Sequence, residues 1–137
     1  MVPTLITYEA MRRKGAELGL PAVSQRENRD VLEAGLSSVE IARRAGVPIG
    51  LGTDLVGDLE QEQLFEFRSR CEVDSVADVL RSATSVNAAI IRRPDLGVIR
   101  EVAVADLVVL EGNPFERTEV LWSPERLVVH SARVLDA

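Results

Sequence analysis

The segment formed by residues 47–54 constrains the fold of this chain more than any other part of the sequence. It is short and apolar, contains Pro48, Gly50 and Gly52, and is followed at once by Thr53 and Asp54. A short apolar run bounded by turn-forming residues is typical of a strand that is buried on both faces in a parallel sheet. We therefore predict a strand over residues 47–52, with Asp54 directly after its carboxyl end.

The first 96 residues predict alternating strands and helices. Residues 2–7 are apolar and β-branched and lead into residues 8–18, which are rich in helix-forming side chains, so a strand followed by a helix is expected. Ser37 with Glu40 three residues later is a capping-box pattern, which predicts a helix that begins there and ends at Gly46.

A further helix is predicted to open near Ser75, with Asp78 three residues on. The order strand, helix, strand, helix indicates an α/β fold. From Gly97 the pattern changes to short β-branched runs separated by polar turns. These runs are residues 98–99, 107–110, 127–129 and 134–135. We divide the chain into an α/β segment over residues 1–96 and a β segment over residues 97–137.

Composition excludes several classes of function. The net charge of −6 and the pI near 4.9 oppose binding to nucleic acid. No apolar run is long enough to predict a membrane span, so no membrane partner is expected. The single cysteine, Cys71, excludes an internal disulfide and fits a reducing compartment, so a cytoplasmic location is the default.

Four segments in order resemble the carboxyl-terminal portion of the metal-dependent amidohydrolases, in particular imidazolonepropionases and prolidase-type dipeptidases. They are residues 2–5, residues 45–54, residues 83–89 and residues 105–110. The resemblance implies an α/β fold made of the last part of a (β/α)8 barrel, with residues 2–7 and 47–52 as its seventh and eighth strands. Residues from Gly97 onward would contribute strands to a small β-sandwich.

The same resemblance implies a hydrolase of carbon-nitrogen bonds in small amides, such as dipeptides, N-acyl amino acids or cyclic amides. Asp54 would be the catalytic residue: in the family this aspartate binds a divalent metal, most often zinc, accepts a proton from the bound water and returns it to the leaving amine. Its position after a strand agrees, because the active sites of such barrels lie at the carboxyl ends of the strands. A turn aspartate without chemistry is the alternative for Asp54. Tyr8 is a candidate substrate contact.

Most of the family's site is absent from this sequence. The His-x-His pair, the bridging lysine and two single histidines have no counterpart, and the only histidine, His130, lies in a predicted terminal strand. One carboxylate cannot supply the roughly four ligands that zinc takes, so the chain alone should be inactive and without the metal. We expect a truncated gene, a split gene or a cloned segment. His130 and Cys71 are expected to be ordinary structural residues.

Smaller features leave further alternatives. Glu60, Gln61 and Glu62 either line the mouth of the site or form a solvated helix face. Family members usually have glycine at the positions of Val102 and Ala132, where a positive φ would strain a non-glycine residue.

Two other functions compete with the hydrolase. One is a non-catalytic remnant or association module, which pairs with itself or with a complementary amino-terminal half because a partial barrel leaves a sheet edge unpaired. The other is a nucleotide-binding domain, suggested by Gly50 and Gly52. It is disfavoured because the third glycine is missing at Leu55 and because Asp54 would repel a pyrophosphate.

Overall fold

The computed structural model describes residues 1–135, so residues 136–137 of the predicted β segment lie outside the described part. The chain folds as α/β, with its α-helices before a small antiparallel sheet. The α-helices are α1 (Leu5–Lys14), α2 (Ala22–Arg44), α3 (Phe65–Cys71), α4 (Val76–Arg81) and α5 (Asn87–Ile90). Within residues 1–135, no helix combines the length and apolar character needed to cross a membrane.

The first predicted strand, over residues 2–7, is not formed: residues 1–4 have no regular secondary structure, and the remaining three residues are helical. Helix α1 begins at Leu5, so residues 5–7 are helical although their composition favours a strand. The reason lies far along the chain: the Glu66 carboxylate accepts the backbone N–H of Ile6 at 2.7 Å, which satisfies a free donor at the helix start. Tertiary contact thus overrides local propensity.

Helix α2 spans 23 residues, from Ala22 to Arg44. The predicted start at Ser37 is therefore wrong, because the helix is already formed fifteen residues earlier and the capping-box pattern falls inside it. The predicted end is confirmed: Gly46 has a φ of 68°, and the N–H of Val47 reaches back to the carbonyl of Ala42. A positive φ after a helix is the usual reason for glycine at this position.

Residues 47–52 do not form a regular strand, but they make one rung of parallel pairing with the start of the chain. The amino group of Met1 donates to the carbonyl of Pro48 at 2.8 Å, and the N–H of Gly50 donates to the carbonyl of Met1 at 2.9 Å. This is the pattern of a parallel pair between Met1 and Ile49. The next rung would need a backbone N–H at residue 3, and Pro3 has none. The ladder therefore stops after one rung.

Helices α4 and α5 belong to one continuous helical stretch. Ser75 caps α4 by accepting the N–H of Asp78 at 3.2 Å, as predicted, and a π-helical turn (Ser82–Val86) joins α4 to α5. Gly97 follows with a φ of 67°, and a Cβ there would lie 2.5 Å from the backbone of Thr84. Only glycine lets the chain pass this close to the π turn.

The β segment forms a three-stranded antiparallel sheet in the order β1 (Leu107–Leu110), β2 (Arg126–His130) and β3 (Arg133–Leu135). The three predicted strands in this region are confirmed to within one residue at each end, whereas the predicted strand at residues 98–99 is absent from the described chain. An open groove of about 910 Å³ lies between the sheet and the helices. The division at residue 97 stays a prediction.

Two turns contain the strain that the sequence predicts. Val102 has a φ of 61° and Ala132 has a φ of 63°, so both occupy the left-handed region in which glycine is favoured. The conformation is least favourable at Val102, because a β-branched side chain there is a true outlier.

We expect Val102→Gly to raise the free energy of unfolding by about 1 kcal/mol, since relief of left-handed strain outweighs the greater entropy of glycine in the unfolded chain. The measurement is the midpoint of urea denaturation. Val56→Gly is the control: Val56 is also exposed but has a φ of −134°, so glycine there should lower stability. Equal shifts for the two variants would contradict the strain at Val102.

Candidate active site

Asp54 lies at the end of the segment 47–54, and its side chain is exposed. Its φ of 54° is positive, which is uncommon for a residue other than glycine, although aspartate tolerates it better than most. Such a conformation persists only where the surrounding structure enforces it. The residues just before Asp54 show how it is enforced.

Arg70 of α3 binds the first of these residues. Its side chain is fully buried, and its Nη1 donates to the carbonyl of Gly50 at 2.9 Å. That carbonyl is the one that lacks a ladder partner because residue 3 is proline. The guanidinium is balanced by Asp74, whose Oδ2 lies 2.6 Å from Nη2. Arg43 of α2 binds the other oxygen of Asp74 at 2.8 Å, so one ion network joins α2, α3 and the site segment.

Asn87 binds the second residue through both ends of its amide. The N–H of Leu51 donates to Oδ1 at 3.1 Å, and Nδ2 donates to the carbonyl of Leu51 at 2.7 Å. Gly50 makes room for this approach, because a Cβ at Gly50 would lie 2.3 Å from Asn87 Oδ1. A third side chain, Thr7 of α1, donates to the carbonyl of Thr53.

Side chains from three helices therefore bind three of the four residues that precede Asp54. We call Thr7, Arg70 and Asn87 the helix clamp. The sequence gives the position of Asp54 but not this clamp, since each contact joins residues 20 to 46 positions apart. The one sequence feature that indicates the clamp is Gly50, since a glycine inside an apolar strand pattern often marks close approach of another group.

Comparison with known proteins decides the family. The model of the amidohydrolase family matches residues 1–132. The chain belongs to the amidohydrolase family.

Solved structures agree with this assignment. A prolidase crystallised with N-methylphosphonate-L-proline is 42% identical with a TM-score of 0.91, over 98% of this chain and 34% of that one. An amidohydrolase is 43% identical with a TM-score of 0.89, over 98% of this chain and 33% of that one. The ochratoxinase of A. niger is 25% identical with a TM-score of 0.77, over 97% of this chain and 31% of that one. None of the curated proteins matches this chain.

These amidohydrolase structures imply a partial TIM-barrel-type fold, and this chain spans about one third of their length. Amidohydrolases are generally metal-dependent. The described residues do not form a metal site by themselves, because residues 1–135 contain no group of three or more His, Cys, Asp or Glu side chains placed to share an ion. Asp54 can offer one exposed carboxylate and no more.

The other residues predicted to lie at the site, Tyr8 and residues 60–62, differ in their burial and contacts. Tyr8 lies inside α1 and is half-buried, rather than at a strand end, and its predicted contact with substrate stays a prediction. Glu60 and Gln61 are exposed. Glu62 is buried and paired with Lys14 at 2.8 Å and with Arg13, which hold the pKa of its carboxyl below the usual range. The alternative of a solvated face is thus wrong for Glu62.

His130 and Cys71 show structural surroundings. His130 Nδ1 lies 3.1 Å from the carboxylate of Asp106 on the exposed sheet, within β2. Cys71 is half-buried at the end of α3, and burial raises the pKa of its thiol.

Glu66 is the most perturbed acid beside the clamp. It belongs to α3 and is fully buried against the start of α1. Its second oxygen, Oε1, has no hydrogen-bond partner within the described chain. Burial raises the pKa of this carboxyl to about 8, against the opposing effects of the Ile6 N–H and of Arg70. The charges that face it are Arg70 and Glu9.

Stability should consequently fall as pH rises from about 5 to about 8. In this window the folded state keeps a proton on Glu66 that the unfolded state has released at its ordinary pKa, so each step upward in pH favours unfolding. We expect Glu66→Gln to remove most of this slope, which amounts to a few kcal/mol in order of magnitude. Urea denaturation at a series of pH values measures it.

Glu72→Gln is the control, since Glu72 is an exposed acid next to the same helix. It should leave the slope unchanged. A Glu66→Gln variant with the slope of the unmodified chain would show that Glu66 does not titrate in this range.

Proposed function

We propose that this chain forms the carboxyl-terminal part of the active site of a metal-dependent hydrolase that cleaves carbon-nitrogen bonds in small amides. Dipeptides, N-acyl amino acids and cyclic amides are the substrate classes. The observation that carries the proposal is Asp54: an exposed carboxylate in an enforced left-handed conformation at the end of a clamped segment. The similar prolidase was crystallised with N-methylphosphonate-L-proline, an N-substituted amino acid, which supports a substrate of the dipeptide or N-acyl amino acid class.

In this proposal the pairing of Met1 with Ile49 is a remnant of the contact between the seventh and eighth strands of a barrel. Residues 1–4 then end the seventh strand, and residues 47–52 form the eighth. The parallel direction of the single rung supports this assignment. Asp54 would thus lie at the carboxyl end of a barrel strand, where such enzymes carry their catalytic groups.

The chemistry proposed for Asp54 is proton transfer. Its carboxylate accepts a proton from the attacking water and delivers it to the nitrogen of the leaving amine, as a general base and then a general acid. A divalent metal, zinc in this proposal, would polarise the amide and activate water when bound. Residues 1–135 contain no group of three or more side chains placed to hold it, so in this proposal a complementary amino-terminal portion supplies the remaining ligands.

Activity in this proposal therefore requires a complementary portion that completes the active site. The chain spans about one third of the prolidase to which it is similar, so the chain alone is proposed to be inactive. Tyr8, in the second turn of α1, is proposed to contact substrate once the site is complete.

The requirement for a complementary portion can be tested with a fusion protein, in which the first two thirds of the similar prolidase are joined to residues 1–137 of this chain. We expect hydrolysis of dipeptides by the fusion, and we expect Asp54→Asn to lower the rate by about 10²–10⁴, the range for loss of a general acid-base group. The steady-state rate on a dipeptide series measures both.

Asp58→Asn is the matched control, because Asp58 is an exposed acid four residues beyond Asp54. It should keep most of the activity. A fusion that is folded and active but indifferent to Asp54→Asn would contradict the role given to this residue.

A second function, as an association module, is favoured by one feature of the sheet. Because directly paired residues place their side chains on the same face, the strand register collects five apolar side chains on one side. We call this the outer apolar face: Leu107, Val109, Leu127, Val129 and Val134. Four of the five are exposed, which marks a surface for association with a second copy or with a complementary amino-terminal portion.

The isolated chain should accordingly self-associate in a concentration-dependent manner. We expect the double variant Val109→Glu, Val134→Glu to be monomeric, since charge on the outer apolar face cannot be buried without large cost. Sedimentation velocity over a range of concentrations measures the effect. The double variant Val23→Glu, Val31→Glu on exposed positions of α2 is the control and should leave association intact. A monomeric unmodified chain at every concentration would contradict this function.

A further inference from the structure

We propose that Asn87 is a positioning residue for Asp54, and that its amide takes the place of a peptide group from a neighbouring strand. The inference rests on the proposed function of Asp54, and extends it to a residue on a different element. Asn87 lies 33 positions beyond Asp54, at the first residue of α5.

The hydrogen bonds at Leu51 are those of a sheet rung. In a β-ladder one residue gives its N–H and its carbonyl to the same neighbouring strand. Leu51 gives both to one side chain: Oδ1 of Asn87 accepts its N–H at 3.1 Å, and Nδ2 donates to its carbonyl at 2.7 Å. An asparagine amide carries the donor and the acceptor that this arrangement needs.

The two sides of the segment are therefore satisfied differently. Toward the start of the chain, the Gly50 N–H is paired with Met1, while the Gly50 carbonyl, left free by Pro3, is taken by Arg70. The backbone groups of Leu51 are taken by Asn87 alone. Leu51 is thus the residue whose backbone depends on a single side chain.

The local structure around Asn87 is built for this contact. Asn87 directly follows the π-helical turn Ser82–Val86, and π turns change the direction in which the following side chains leave a helix. Gly50 provides the opening, because a Cβ there would also lie 2.9 Å from Cδ1 of Ile90, one turn after Asn87. The contact therefore depends on both residues: Gly50 leaves the space, and Asn87 makes the hydrogen bonds.

The consequence for Asp54 follows from chain connectivity. Leu51 and Thr53 are both anchored by side chains, and Thr53 is bonded directly to Asp54 in its left-handed conformation. Loss of Asn87 frees Leu51 on both of its polar groups and leaves Thr7 as the one anchor between Gly50 and Asp54. The backbone that carries the Asp54 carboxylate would then be held less tightly.

Backbone dynamics of the 137-residue chain test this directly. In Asn87→Ala we expect the Leu51 amide to exchange with solvent roughly five times faster or more, as expected for loss of one hydrogen bond. We expect the order parameters of Thr53 and Asp54 to fall from about 0.85 toward 0.6. If Asn87→Ala does not fold, Asn87→Asp carries the test: it keeps an acceptor for the Leu51 N–H and loses the donor, so Leu51 stays protected while Asp54 loosens.

Ser75→Ala is the matched control. It removes the cap of α4, in the same helical stretch, and should lower stability to a comparable degree without touching residues 50–54. Asp54 should keep its order in this control. If the order parameter of Asp54 falls equally in both variants, Asn87 contributes only to the overall stability of the chain and the proposal is wrong. An Asp54 that stays ordered in Asn87→Ala would also overturn the proposal.

The catalytic consequence is measured in the completed fusion. Asn87→Ala should lower kcat more than it changes KM, since the carboxylate is misdirected while substrate binding is retained. A change in KM alone would count against positioning. If Asp54→Asn proves harmless in the fusion, the proposed function fails, whereas the dynamics of Asp54 in the chain alone still decide whether Asn87 positions it.

Discussion

The buried guanidinium of Arg70 is the interaction on which the rest of this structure depends. A fully buried arginine is costly unless its charge is paired and its donors are used. Here Asp74 supplies the charge, and the carbonyl of Gly50 uses a donor. Because Asp74 also binds Arg43 of α2, the pair holds helices α2 and α3 and the site segment in one arrangement.

Proline at position 3 explains why a side chain is needed at all. Pro3 ends the parallel pairing after one rung and leaves the Gly50 carbonyl without a backbone donor. Buried carbonyls are rarely left without a partner, and the guanidinium fills this role. On the other side of the segment, Asn87 does the same for Leu51. Helix side chains thus support a segment that the described chain does not build into a sheet.

Helix α1 depends on a second buried group, Glu66. Its carboxyl satisfies the N–H of Ile6, and α1 in turn carries Thr7 to the carbonyl of Thr53. The protonated form that burial favours lets this acid remain inside without a full charge. The acid therefore contributes to the site through the helix it caps.

The sequence predicted those elements whose causes are local. The strands predicted at residues 107–110 and 127–129, the cap at Ser75 and the helix end at Gly46 each follow from patterns within a few residues. The strand predicted over residues 2–7 failed because Glu66, sixty positions away, stabilises a helix start at Leu5. The helix start at Ser37 failed because a capping pattern cannot show that a helix is already formed.

The candidate site divides in the same way. Asp54 is visible in the sequence because it follows an apolar, glycine-containing segment and matches a family motif. Arg70 and Asn87 are not, since a helix pattern does not reveal which distant carbonyl a side chain reaches. The strain at Val102 and Ala132 could be predicted from the sequence, because family members usually have glycine at these two positions.

We propose that Asp54 works in a site completed by the two thirds of an amidohydrolase that this chain does not span. A crystal structure of the fusion tests it most directly. We expect the Asp54 carboxylate to lie within hydrogen-bonding or metal-ligand distance, about 2–3 Å, of polar groups from the added portion. A carboxylate that faces bulk water in a correctly closed barrel, with no such group in reach, would contradict it.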